Sequence, residues 1–129
     1  MNSVHKPNVV RRNRQDIGSL SRRRYAVHME KISTIDDKEA RKRLAELPGW
    51  TLEEGALRRQ FTFDGFPAAL AFLVRLGFDA EAADHHPDIT VNYKRVTLGY
   101  VTHSAKGLTE KDFAGAAGAS ETARRMGGA

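Results

Sequence analysis

The sequence predicts an α+β domain in the order α-β-β-α-β-β-α, its four-stranded antiparallel sheet covered by helices on one face. Three observations carry this. Two pairs of short segments alternate apolar and polar residues at strand parity. Each pair follows a segment whose apolar residues recur at helical spacing. An Ala-rich stretch behind a capping signal closes the chain.

The elements follow in order. Asp36 and Glu39 form a capping-box-like pair, with Ile35 and Ala40 placed as a staple, and Ala40, Leu44 and Leu47 share one helical face. Pro48-Gly49 ends that helix. Trp50 and Leu52 open a short strand, Glu54-Gly55 reads as a tight turn, and Leu57, Arg59, Phe61 and Phe63 alternate with Arg58, Gln60 and Thr62. A second helix starts between Asp64 and Pro67. Its expected buried face is Phe66, Ala69, Leu70, Leu73, Val74 and Gly77. Pro87 disfavours helical geometry at His86, so the helix ends around Asp84 or His85. Ile89, Val91 and Tyr93 form one arm of a second hairpin and Val96, Leu98 and Tyr100 the other, with a turn expected near Lys94-Arg95. Thr109 with Asp112 is a capping-box variant, stapled by Leu108 and Phe113, and opens the last helix over about 110–125.

The chain of 129 residues is long enough for one domain with a modest core. The absence of cysteine excludes disulfides, zinc thiolate sites and cysteine nucleophiles. No apolar run approaches the ~20 residues that span a bilayer, and no glycine-rich phosphate-binding run is present. The formal charge of +5 is unevenly placed. Residues 1–31 hold eight basic and two acidic side chains, a net of +6, whereas the rest holds thirteen basic and fourteen acidic ones, a net of −1. Residues 1–31 therefore read as a basic, disordered extension, and residues 32–129 as the folded domain. The arm admits four readings: a solvated tail, an upstream extension before a true start at Met29, an organellar import segment, or an arm that contacts nucleic acid non-specifically. Nothing resembles a secretory signal, which leaves the cytoplasm as the expected compartment, with organellar import open.

The chemistry concentrates in His85-His86-Pro87 and Thr102-His103, three of the five histidines within 19 residues. Imidazole exchanges protons near neutral pH. His85 and His86 follow a helix C-terminus, whose dipole favours the protonated ring, and Glu81 and Asp84 lie one turn back. His103 falls on the strand parity of Thr97, Gly99 and Val101, where Gly99 leaves room for a flat ligand. Asp112 approaches the same end of the sheet. A three-histidine zinc site is the chemical rival, but adjacent histidines in an extended segment point apart, so no metal is expected.

These residues resemble the pterin-4a-carbinolamine dehydratases (4a-hydroxytetrahydrobiopterin dehydratases). The resemblance runs from about Ile35 to Ala123. Its strongest parts are Glu81 to Asp88, then Val91, Tyr93, Val96, Thr102-His103, and Gly107 to Asp112, with Leu47-Pro48-Gly49-Trp50 as a further match. The chain departs from the family pattern at Lys94, Val101 and Ser104-Ala105.

The resemblance implies dehydration of a 4a-hydroxytetrahydropterin to the quinonoid dihydropterin, within tetrahydrobiopterin recycling, by general acid–base catalysis without cofactor or metal. It makes His85 and His103 the acid–base pair, with His86 holding the ring. Glu81, Asp84 and Asp112 orient or tune them, while Pro87 and the segment Thr102, His103, Ser104, Ala105 line the pterin pocket. It implies a homodimer or homotetramer with a small-molecule pterin as its partner. The competing reading from another class is a non-catalytic, partner-stabilising or regulatory dimerisation module, since an exposed edge strand is a natural dimer surface.

Overall fold

A computed structural model describes residues 33–129. The extension expected over residues 1–31 lies outside the described residues. Helix α1 spans Asp37–Leu44, and its N-cap Asp36 accepts a hydrogen bond from the Glu39 amide at 2.8 Å. Glu39 does not complete a capping box. Its carboxylate instead takes Arg43, which also reaches Glu110 at 2.7 Å and so ties α1 to the start of the last helix.

Strands β1 (Thr51–Glu53) and β2 (Ala56–Thr62) are joined through Glu54 and Gly55, both at positive φ, 52° and 77°. Two left-handed residues give a turn whose twist matches that of the strands. Strands β3 (Asp88–Asn92) and β4 (Arg95–Tyr100) form the second hairpin. Its turn falls at Tyr93-Lys94, one residue earlier than expected, because Arg95 already pairs with Asn92. Tyr93 takes the left-handed conformation there without the help of glycine.

The sheet order is β1-β2-β4-β3, antiparallel throughout, so the two hairpins meet along β2 and β4. Across that seam Leu57 faces Tyr100 and Phe61 faces Val96. These four, with Leu98, are buried and meet Phe72 and Leu76 from helix α2 (Phe66–Ala83) and Phe113 and Ala116 from helix α3 (Glu110–Arg125). Trp50 joins the same core and donates its indole N–H to Ser120 Oγ at 2.7 Å.

Helix α2 (Phe66–Ala83) differs from the expected orientation. The buried residues are Ala69, Phe72, Leu76 and Ala80, whereas Phe66, Leu70, Val74 and Phe78 are 40–72% exposed. Both sets recur at helical spacing, so periodicity alone does not say which one meets the sheet. The Phe61–Phe72 and Phe63–Phe72 ring contacts, with centroids 5.5 and 5.0 Å apart, fix the rotation.

Helix α3 (Glu110–Arg125) opens with a capping box, Thr109 with Asp112, as the sequence predicts. It lies close to the sheet because Gly115 has no side chain. A Cβ there would sit 2.5 Å from Tyr100 Cε1. Gly118, by contrast, faces open space. Gly115→Ala is expected to destabilise by about 1–3 kcal/mol despite its better helix propensity, through overpacking, and Gly118→Ala to stabilise by about 0.5–1 kcal/mol. Chemical denaturation of the two variants checks the opposite signs.

Burial, with Asp79 and Asp112 nearby, pushes the Tyr100 hydroxyl up to about 12. The neutral form is the favoured one in the fold. Its contribution to stability is therefore fully present below the unfolded pKa of ~10 and lost as pH rises through about 12. Tyrosinate absorbance should show one late-titrating tyrosine, coincident with alkaline unfolding.

Candidate active site

Three segments converge on the Asp112 carboxylate. Helix α2 ends at Ala83, and Asp84 takes the left-handed conformation, φ 49° and ψ 43°, with its N–H on the Ala80 and Glu81 carbonyls. That turn redirects the chain so that His85 leaves the helix across the sheet end. Strand β4 ends at Tyr100 and delivers Thr102, which is buried and bridged to Gly107. The first turn of α3 supplies Asp112, with a relative exposure of 0%.

The carboxylate is fully used. Its Oδ1 lies 2.6 Å from His85 Nε2. Its Oδ2 accepts the Thr102 hydroxyl at 2.8 Å and the Thr109 amide at 2.9 Å. Thr102 and Thr109 hydroxyls are themselves 2.8 Å apart. Tyr100 stacks beside the His85 ring, centroids 6.0 Å apart and planes 27° apart. A cavity of about 410 Å³ opens between α2 and α3, lined in part by Leu76, Ala80, Tyr100, Gly115, Ala119 and His85. That is within the size range of small-molecule pockets.

The other expected residues are distributed differently. His86 is exposed and pairs with Glu81 on α2, Nε2 to Oε1 at 2.7 Å. The adjacent rings thus serve carboxylates on two different helices, as divergent directions in an extended segment require. Pro87 is buried beneath them. His103 does not continue the strand parity. It opens a short 3₁₀ turn, His103–Ala105, closed by Lys106 in the left-handed conformation. His103, Ser104 and Asp84 are exposed, Ala105 is half-buried, and among the described residues none of the four forms a side-chain bond to another site residue. The space expected over Gly99 is taken by Arg58, whose side-chain atoms would lie 3.8 Å from a Cβ there. Among the described residues, no three His, Asp or Glu side chains are grouped to hold a metal ion.

Two contributors escaped the sequence reading. Thr109 was legible as a helix cap but not as a partner of Thr102. Tyr100 was read as strand core, and its stacking on His85 follows from the pairing of β4, which periodicity does not reveal.

The pterin 4 alpha carbinolamine dehydratase family model matches residues 33–122. A protein from Chloroflexus aurantiacus named "Putative pterin-4-alpha-carbinolamine dehydratase" is 49% identical over 87 residues, which are 67% of this chain and 94% of that protein. A protein of the same name from Roseiflexus sp. (strain RS-1) is 48% identical over 79 residues, 61% of this chain and 85% of the relative. Among solved structures, a transcriptional coactivator/pterin dehydratase from Brucella melitensis is similar with a TM-score of 0.68 and 32% identity. The match covers 70% of this chain and 99% of that one.

Asp112→Ala would leave two N–H groups and a hydroxyl without their acceptor. Each unmet buried donor costs about 1–3 kcal/mol, so a loss of about 3 kcal/mol or more is expected in urea unfolding. Glu81→Ala, removing an exposed pair, is expected to cost at most about 1 kcal/mol.

Proposed function

The chain belongs to the pterin 4 alpha carbinolamine dehydratase family, and from that membership we propose how its histidines act in dehydrating a 4a-hydroxytetrahydropterin. The activity is that of a hydro-lyase. In the substrate, N5 carries a proton and C4a a hydroxyl. Dehydration removes the N5 proton, forms the N5–C4a double bond and expels the hydroxyl as water once it has received a proton. One group must accept and another donate, and no electrons leave the pterin. Positioned acid–base catalysis of this kind is worth ~10²–10⁴-fold.

The observation that carries the reading is the His85–Asp112 pair at 2.6 Å, with the His85 ring stacked on Tyr100 in the wall of a cavity. A buried carboxylate orients the ring and fixes which of its nitrogens faces inward. His103, on an exposed turn after the same sheet end, is the second acid–base group by family match, and His86 holds the ring. By family match Asp84, Pro87, Ser104 and Ala105 border the pterin on the side of His103, outside the lining of the cavity between α2 and α3. The role extends to tetrahydrobiopterin recycling in the cytoplasm. No described helix is long and apolar enough to cross a membrane.

Self-association is part of the proposal. Phe66, Leu70, Val74 and Phe78 form an exposed apolar stripe on α2, and Ile89 and Val91 leave apolar surface on edge strand β3. A second copy offers the same stripe and the same unpaired edge, which is what a two-fold interface requires. That surface also favours a second reading, a partner-stabilising module of the same fold, since nothing in it depends on the histidines.

A stopped-flow dehydration assay decides between them. His103→Ala is expected to lower kcat by about 10²–10⁴-fold with thermal stability unchanged, because an exposed imidazole contributes little core area. Equal losses of activity and stability would make His103 structural. Val74→Glu with Phe78→Glu is expected to reduce the sedimenting species to a monomer. An unchanged sedimentation coefficient would remove α2 from the interface.

A further inference from the structure

The bonding around Asp112 has a direction. An ionised carboxylate only accepts, so the Thr102 hydroxyl proton is committed to Oδ2 at 2.8 Å. Thr102 has no second proton to give. Its 2.8 Å contact with Thr109 must therefore be donated by the Thr109 hydroxyl, which in turn accepts the Lys111 amide. Every proton in the chain points toward Asp112. The remaining oxygen, Oδ1, faces His85 Nε2 at 2.6 Å and demands a proton there as well.

We propose that Thr102 and Thr109 are positioning residues that hold His85 with its proton fixed on Nε2, so that Nδ1 is the nitrogen that exchanges protons with the pterin. The inference rests on the dehydratase reading above and adds to it the working atom and the residues that select it. Among the described residues nothing bonds Nδ1, and no unpartnered side-chain nitrogen or oxygen is buried. Nδ1 is thus open to its surroundings while Nε2 is held inside.

The proton balance is simple. When His85 gains a proton it does so at Nδ1 and becomes an imidazolium that keeps Nε2–H on Asp112. When it gives a proton up, it gives that same one and returns to the Nε2–H tautomer. Thr102 and Thr109 never touch the substrate through their hydroxyls. The Thr102 hydroxyl, held in place by the Thr109 hydroxyl, and the Thr109 amide occupy Oδ2, so that the carboxylate cannot rotate and offer a different oxygen or angle to the ring.

The test reads tautomer and turnover separately. Two-bond ¹H–¹⁵N correlation spectra of histidine-labelled protein, without substrate, should show His85 as the Nε2–H form. Thr102→Val, nearly the same shape without the hydroxyl, should give a mixed tautomer and lower kcat by about 10- to 100-fold with KM little changed. Thr102→Ser should restore both, and Thr109→Ala should show a weaker version of the same change. A wild-type His85 in the Nδ1–H form overturns the inference. So does a Thr102→Val protein that loses activity only in step with its folded fraction, or a Thr102→Ser protein that rescues neither readout. A wild-type chain with the Nε2–H tautomer but no dehydration of carbinolamine would instead sink the functional reading and leave the tautomer assignment standing.

Discussion

A single buried carboxylate holds this fold's functional end together. Asp112 is a capping residue for α3, the acceptor for the end of the sheet and the anchor of His85, all through two oxygens. Burying a charge this completely is costly unless each lone pair is met. Here N–H and O–H groups from three segments meet it. The arrangement explains why the helix start, the strand end and the residue after α2 arrive at one place. Each would leave an unpaired polar group if it moved alone.

The two adjacent histidines illustrate how the backbone divides labour. Left-handed Asp84 ends the helix without glycine, and the extended residues that follow send the two rings apart. His85 turns inward to α3, and His86 outward to Glu81 on α2. The inner pair is shielded and geometrically fixed. The outer pair is exposed and screened by solvent, so its strength depends on salt and its position can adjust.

Much of this was legible in the residues. Strand parity, helical spacing and capping pairs located the three helices and four strands but not the 3₁₀ turn at His103–Ala105, and Thr109 with Asp112 marked the start of α3 in the capping-box spacing that the structure contains. His85, His86 and Asp112 stood out by chemistry and spacing. What could not be read was rotation and pairing. Helix α2 is apolar on two sides, and only the fit of Phe72 between Phe61 and Phe63 selects one. His103 looked like a strand residue by parity, but the chain turns at Thr102, whose hydroxyl is drawn to Asp112. Gly99 looked like ligand space, but Arg58 from the neighbouring strand lies across it. In each case the deciding partner is distant in sequence, and local patterns carry no trace of it.

The strand order β1-β2-β4-β3 also governs how such a chain can assemble. Each hairpin closes over two residues and can form by itself, quickly and reversibly. The seam between β2 and β4 cannot, because its nearest pair, Thr62 with Arg95, brackets all of α2 and β3. Closing that interval costs chain entropy before any side chain is rewarded. Large buried residues, Phe61, Leu57, Tyr100 and Val96, sit on that seam and repay the cost at once. Asp112 follows still later in the chain, so the carboxylate that holds His85 comes from a helix that leaves the ribosome after both hairpins. A nascent chain lacking that helix would carry His85 without the acceptor that sets its ring.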